Sequence, residues 1–255
     1  MRVNVLNRVV VAAGISAVAL FGLSVSTSAA VQRGQTRQER QKQQQAQKKQ
    51  DQAQARQHQQ ALVEQQQQRL TQYGNHLDQQ QRLAQSQTMQ LQQQNRRAQY
   101  AVQQQYVARL RQQQLTVQRQ APARYARDPY FSTPLNYRYS RGGQFYETNQ
   151  YGVNLLRQAV NYGYDQGYRT GLADRRDRFR SDYQGSFAYQ DANYGYSGFY
   201  VDRDDYNNYF REGFRRGYED GYGARHQYGT YVNGRGTILG SILGTILNFQ
   251  VIVRR

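Results

Sequence analysis

Apolar residues recur along this chain in four different rhythms, and each rhythm predicts a different element. The first is a block: Val9 to Leu23 is an almost unbroken apolar run, preceded by Arg2 and Arg8. Ser28, Ala29 and Ala30 follow as a small-x-small pattern. Such a basic n-region, short h-region and small-residue exit predict a signal peptide over 1–30, with the mature chain starting near Val31. A single N-terminal membrane anchor is the rival, but the run is short for a span and ends among Ser24, Ser26 and Ser28.

The second rhythm is a sparse heptad. Val63, Leu70, Leu77, Ala84, Leu91 and Ala98 stand seven residues apart. The companion seam, three residues on, is mostly polar: Gln66, Tyr73, Gln80, Gln87, Gln94 and Ala101. A dry coiled coil wants both seams apolar, so this pattern predicts a helix with weak self-association. Beyond Ala98 the phase shifts to Val102, Tyr106, Leu110 and Val117. Residues before about Ala61 carry almost no large apolar side chain and read as disordered or loosely helical. Together 31–120 form a Gln-rich helical arm. Pro122, Pro129 and Pro134 end it and mark a linker over 121–135.

The third rhythm is a glycine ladder written twice. Gly163, Gly167 and Gly171 are each followed by a large side chain: Tyr164, Tyr168 and Leu172. Gly213, Gly217 and Gly221 repeat the pattern with Phe214, Tyr218 and Tyr222, at an offset of 213 − 163 = 50 residues. A fixed offset means one unit used twice, because a single copy cannot bury its own face. Four residues turn a helix by about 400°, so three such glycines share one face and let another backbone come close. Each costs about 1 kcal/mol of helix propensity, which a close partner must offset. The tyrosines supply apolar rings whose hydroxyls can stay wet.

The module around the ladders spans 136–232. Tyr137 to Tyr146 predicts a hairpin turning at Gly142-Gly143. Asn149 to Arg178 predicts one helix. After a polar connection over 179–203, Asp204 or Asp205 is expected to cap the next. The fourth rhythm closes the chain. Segment 233–255 is apolar from Ile238 to Val253 and carries a third ladder, Gly236, Gly240 and Gly244. It reads as a core helix, as a membrane-inserted helix with a dimer face, or as a helix followed by a strand.

Composition narrows the function classes. There is no cysteine, which excludes disulfides and a lipid-anchored cysteine. The net charge is +17, falling to 17 − 2 = +15 without Arg2 and Arg8. Residues 32–120 hold fourteen Lys/Arg against four Asp/Glu, and residues 121–255 hold eighteen against thirteen. Such a basic exported chain meets polyanions first: envelope phosphates, acidic polysaccharide or extracellular nucleic acid.

Candidate chemistry is thin. His58, His76 and His226 are too far apart to suggest a metal cluster. Asp202, Asp204, Asp205, Asn207 and Asn208 fail the calcium-loop pattern, since its glycine and final glutamate positions hold Asn207 and Gly213. Gly234 and Gly236 lack the strand and lysine of a phosphate loop. Arg175, Arg176, Arg178 and Arg180 cluster, but Asp174, Asp177 and Asp182 interrupt them, which favours a solvated or self-pairing face over a phosphate-binding patch.

The stretches Gly163 to Arg176 and Phe210 to Gly223, with the lead-in Gly142 to Glu147, resemble uncharacterised exported bacterial proteins with paired Gly-Tyr helical repeats. The resemblance covers roughly the last half of the chain. It implies export and no known enzymatic activity, and it brings no functional residues with it.

The expectation is therefore a mainly α, partly disordered protein: a Gln-rich, weakly coiled-coil arm joined to a Gly/Tyr-repeat helical module. No catalytic, metal or cofactor residues are assigned. The nine ladder glycines are assigned to helix packing. The reading is an exported structural protein of the periplasm, envelope or extracellular space, not an enzyme, acting by self-association and contact with anionic polymer. A membrane protein inserting 236–253 and a basic nucleic-acid binder are the alternatives.

Overall fold

The computed structural model describes residues 31–119 and 128–252. The expected signal peptide over 1–30 and the first part of the linker, with Pro122, lie outside the described residues. The chain divides at Ala53 into two units, and all packing below lies within the unit that begins at Gln54. The fold is mainly helical. Its elements are α1 (Val31–Gln93), α2 (Arg97–Gln118), a 3-10 turn (Pro129–Ser132), β1 (Tyr137–Arg141), β2 (Gln144–Thr148), α3 (Gln150–Arg176), α4 (Phe187–Asp191), α5 (Arg203–Gly223), β3 (Gly229–Val232), β4 (Arg235–Ile238), α6 (Gly240–Leu247) and β5 (Gln250–Val251).

The expected single arm helix is two helices. Asn95 adopts the left-handed conformation at φ 54°, which asparagine tolerates better than most residues, and the chain turns there. Gln81 Nε2 donates to Gln114 Oε1 and Gln103 Nε2 to Thr88 Oγ1, so α2 runs back antiparallel along α1. The phase shift after Ala98 marks this turn.

Its apolar stripe is occupied. Tyr73, Leu77, Ala84, Tyr106 and Leu110 enter one core with Phe187, Tyr196, Phe210 and Phe214 of the module. Tyr73 meets Tyr196 edge-on at 5.0 Å between ring centroids, and Tyr106 meets Phe187 at 5.9 Å. The polar companion seam also has partners. Gln66 Nε2 donates to the Gly198 carbonyl, and Gln87 Nε2 donates to Gln190 Oε1. Gln113, from α2, donates to Tyr73 Oη at 2.7 Å and accepts from the Gly195 N–H at 2.7 Å. The half-polar stripe that reads as a poor coiled coil is a docking face for the chain's own module.

Around the helices lie small antiparallel sheets. β1 and β2 form the predicted hairpin, with Gly142 and Gly143 at φ 56° and 78°. β5 adds to the other edge of β1. Asn149 caps α3, its Oδ1 accepting from Tyr151 N at 3.0 Å.

Of the three readings of the C-terminal segment, the helix followed by a strand is the one found from Gly240 on, as α6 and then β5. The segment is not one helix: β3 and β4 form a hairpin turning at Asn233 and Gly234, and a two-turn helix and β5 follow. At eight residues α6 is far below the roughly 20 a span needs. No helix of the described residues is long and apolar enough to cross a membrane.

Candidate functional site

α3 and α5 cross through their glycines. A Cβ added at Gly163, Gly167 or Gly171 would overlap the carbonyl oxygen of Phe210, Phe214 or Tyr218. One added at Gly213, Gly217 or Gly221 would overlap that of Val160, Tyr164 or Tyr168. Residue numbers rise together on both sides, so the helices are parallel. Each glycine faces the carbonyl three residues before the matching glycine of the other helix, a local two-fold relation that follows from the duplication. The Cα–H that takes the place of the side chain points at that oxygen, a weak hydrogen bond of about 0.5–1 kcal/mol. Six of them help to offset the helix cost of six glycines.

The other three ladder glycines do not share this role. Gly236 lies on β4, where its N–H donates to Asp165 Oδ1 at 2.7 Å. Gly240 and Gly244 lie on α6, and a Cβ at either would meet nothing within 4 Å. Gly240 and Gly244 are therefore not a packing face within the chain, whereas a Cβ at Gly236 would press on Asp165 and Tyr164 of α3, so that glycine packs against a helix from a strand. The third ladder's spacing straddles a strand and a helix, which a four-residue interval cannot distinguish. The Asn233-Gly234 dipeptide, a strong hairpin signal, could have told them apart.

Beside the crossing the tyrosine hydroxyls are buried rather than wet. Tyr164 Oη donates to Asp220 Oδ2 and Tyr218 Oη to Asp174 Oδ2, both at 2.8 Å and both from one helix to the other. Two more pairs repeat the arrangement: Tyr139 with Asp205 at 2.6 Å and Tyr106 with Asp191 at 2.7 Å. Among the described residues, every buried carboxylate receives a tyrosine hydroxyl. Burial pushes the carboxyls of Asp174 and Asp205 above the usual carboxylate range, partly offset by their tyrosines and by Arg96 and Arg141. Burial also pushes the phenols of Tyr106, Tyr139, Tyr164 and Tyr218 well above theirs. These pairs join residues 44 to 85 apart in sequence. No local pattern could have shown them.

The weighed candidates scatter. Asp205, expected as a helix cap, turns inward to Tyr139 and to Arg141 at 2.9 Å; Asp202 holds the cap position without a side-chain cap bond. Asp202 pairs with Arg69 at 2.8 Å and Asp204 with Arg203 at 3.6 Å, so the acidic group does not converge on one point. His226 stacks on Tyr168, and His76 Nε2 lies 3.0 Å from Asn193 Nδ2. The side chain of His58 lies outside the described residues. Among the described residues no group of three or more His, Asp or Glu is placed to hold a metal. Gly234, considered as part of a phosphate loop, sits in the β3–β4 turn; a strand does precede it, but the chain returns as β4 instead of opening a helix.

The arginine cluster is where the structure changes the reading most. Two of the three interrupting acids point away from it, while Asp182 stays beside Arg180. Asp174 takes Tyr218 and Arg96, the latter at 2.5 Å. Asp177 caps α2, accepting from the N–H groups of Ala98 and Gln99 at 2.9 Å each. Arg175, Arg176 and Arg178 are exposed and make no ion pair among the described residues. Arg180 is 81% exposed and only 3.9 Å from Asp182. Arg97, at the start of the helix that Asp177 caps, is exposed too. What alternates in sequence is largely sorted in space: Asp174 and Asp177 turn to partners on other elements, and the guanidiniums of Arg175, Arg176 and Arg178 stay outward.

No protein-family model, curated protein or solved structure matches this chain.

Proposed function

We propose that this is an exported structural protein that holds an anionic polymer of the envelope or extracellular space on the arginine face at the end of α3. The observation that carries the reading is the sorting of charge. Four of the acids are buried against tyrosines, whereas no lysine or arginine is buried among the described residues. The exposed surface is more basic than the composition suggests. Beyond Lys49 every basic residue except histidine is arginine, whose planar fork suits carboxylate and phosphate oxygens.

Self-association through the heptad stripe is not part of this proposal. It would require withdrawing Tyr73, Leu77 and Ala84 from the core they share with the module. The test is binding of the full chain to polygalacturonate, polyphosphate and single-stranded DNA across a salt series. Converting Arg175, Arg176, Arg178 and Arg180 to glutamine should weaken every polyanion that binds and flatten the salt dependence by about 0.7–0.9 per lost contact on a nucleic acid. Unchanged affinity and slope would exclude this face.

A further inference from the structure

Each of the four buried tyrosine–aspartate pairs has further tyrosine rings beside it that lead outward. Tyr146 stacks on Tyr139 with ring centroids 5.5 Å apart, and Tyr222 stacks on Tyr218 at 5.8 Å. Tyr194 meets Tyr106 edge-on at 6.1 Å. Tyr168 lies 6.5 Å from Tyr164 and continues to Tyr231 at 4.3 Å. The outer rings, Tyr146, Tyr194, Tyr222 and Tyr231, are half-buried, whereas the four inner ones are buried. Outer hydroxyls have other partners: Tyr222 donates to the Phe179 carbonyl, and Tyr146 accepts from Arg141. One more hydroxyl–carboxylate bond, Tyr200 to Asp128 at 3.0 Å, has neither member buried. Satisfying a buried carboxylate accounts for the inner tyrosine and leaves the outer ring unexplained.

A phenol that loses an electron becomes a strong acid, so its oxidation depends on a base to receive the proton. At 2.6 to 2.8 Å the aspartates are within the reach that proton transfer needs. Burial makes Asp174 and Asp205 stronger bases than an exposed carboxylate. Tyrosine rings in contact provide the path for the electron. We infer that this array reduces one-electron oxidising radicals of the peroxyl class, taking them at the outer rings and holding the oxidising equivalent on the inner ones. The outer phenol gives a hydrogen atom to the peroxyl radical, leaving a hydroperoxide and an outer tyrosyl radical. The inner tyrosine passes one electron to that radical while its own proton moves to the aspartate. The outer ring regains a proton from water. In sum, one peroxyl radical becomes a hydroperoxide, one inner phenol becomes a neutral tyrosyl radical, and one aspartate is protonated. Shut away from water and from other chains, the inner radical outlives one at the surface. None of this involves the arginine face.

The test exposes the full chain to peroxyl radicals from a water-soluble azo initiator and freeze-traps it for electron paramagnetic resonance. The tyrosyl signal of the folded chain should outlive that of the urea-unfolded chain about tenfold. It should also show a single, narrowly distributed coupling to one exchangeable proton, the one now held by the aspartate. Tyr164→Phe combined with Tyr218→Phe removes two of the four inner sites and should remove about half of the trapped signal. Tyr100→Phe, at a half-buried ring outside the pairs, should leave the signal intact. Melting curves verify that the variants fold. Should the double variant fail to fold, the lifetime and the proton coupling in the parent carry the test. Equal lifetimes in the folded and unfolded chains, or no such coupling, overturn the inference. So does a folded double variant whose signal is unchanged or falls no further than that of Tyr100→Phe.

Discussion

The α3/α5 crossing and the C-terminal segment carry glycines at the same four-residue interval, yet they use them in opposite ways. At the crossing all six glycines abut a partner carbonyl, and the missing side chain is what allows two backbones to meet. On α6, Gly240 and Gly244 face open space, and the missing side chain only weakens the helix. Spacing alone therefore does not make a packing groove. What differs is the second copy: the first ladder has a partner at a fixed 50-residue offset, and the last has none.

The largest way to break this comparison is to fill the crossing. Gly167→Leu together with Gly217→Leu should prevent α3 from meeting α5, and the cooperative unfolding transition should disappear. The same double change at Gly240 and Gly244 should leave a folded protein. Survival of a normal transition in the first variant would show that the helices do not depend on contact.

Alkali should come next in effect. A phenol whose folded pKa is raised gives stability that is present below its unfolded value, about 10, and lost as pH climbs above it. Tyr106, Tyr139, Tyr164 and Tyr218 are all shifted up by burial, and Tyr209 is pushed up to about 12. The melting temperature should fall steeply above pH 10, with tyrosinate absorbance near 295 nm appearing together with unfolding. Gradual ionisation of these phenols in a folded chain would contradict their burial against carboxylates. The carboxyls of Asp174 and Asp205 are raised too, so their contribution is full at low pH and lost as pH rises through their folded pKa.

Single hydroxyl deletions sharpen the account further. Tyr164→Phe and Tyr218→Phe each remove a donor to a buried carboxylate and should cost about 1–3 kcal/mol by urea unfolding. Tyr151, a residue 37% exposed whose hydroxyl makes no such bond, should lose less than about 0.5 kcal/mol on the same change. Equal losses at all three positions would remove the tyrosine–aspartate pairs from the account.

How much of this was legible depended on whether a signal was local. The Gly142-Gly143 hairpin, the α3 start at Asn149 and the repeated ladder were readable, because each is set by residues near one another in the chain. The turn at Asn95 was visible only as a phase shift, since one left-handed asparagine leaves little trace in a Gln-rich helix. The partner of the heptad stripe was hidden, because periodicity says which face is buried and nothing about what covers it. The sorting of Asp174 and Asp177 away from their arginine neighbours was hidden too, as it depends on where α2 starts and where Tyr218 ends up.

The most direct test of the central claim is one substitution made in two places. Urea unfolding of Gly217→Ala and Gly244→Ala, compared with the parent, isolates the effect of a single methyl group. Helix propensity favours alanine by about 1 kcal/mol at both positions. At Gly244 that gain should appear as increased stability. At Gly217 the methyl group would overlap the Tyr164 carbonyl, and overpacking of about 1–3 kcal/mol or more should reverse the sign. Opposite signs are the predicted result; a stabilised Gly217→Ala would contradict the crossing.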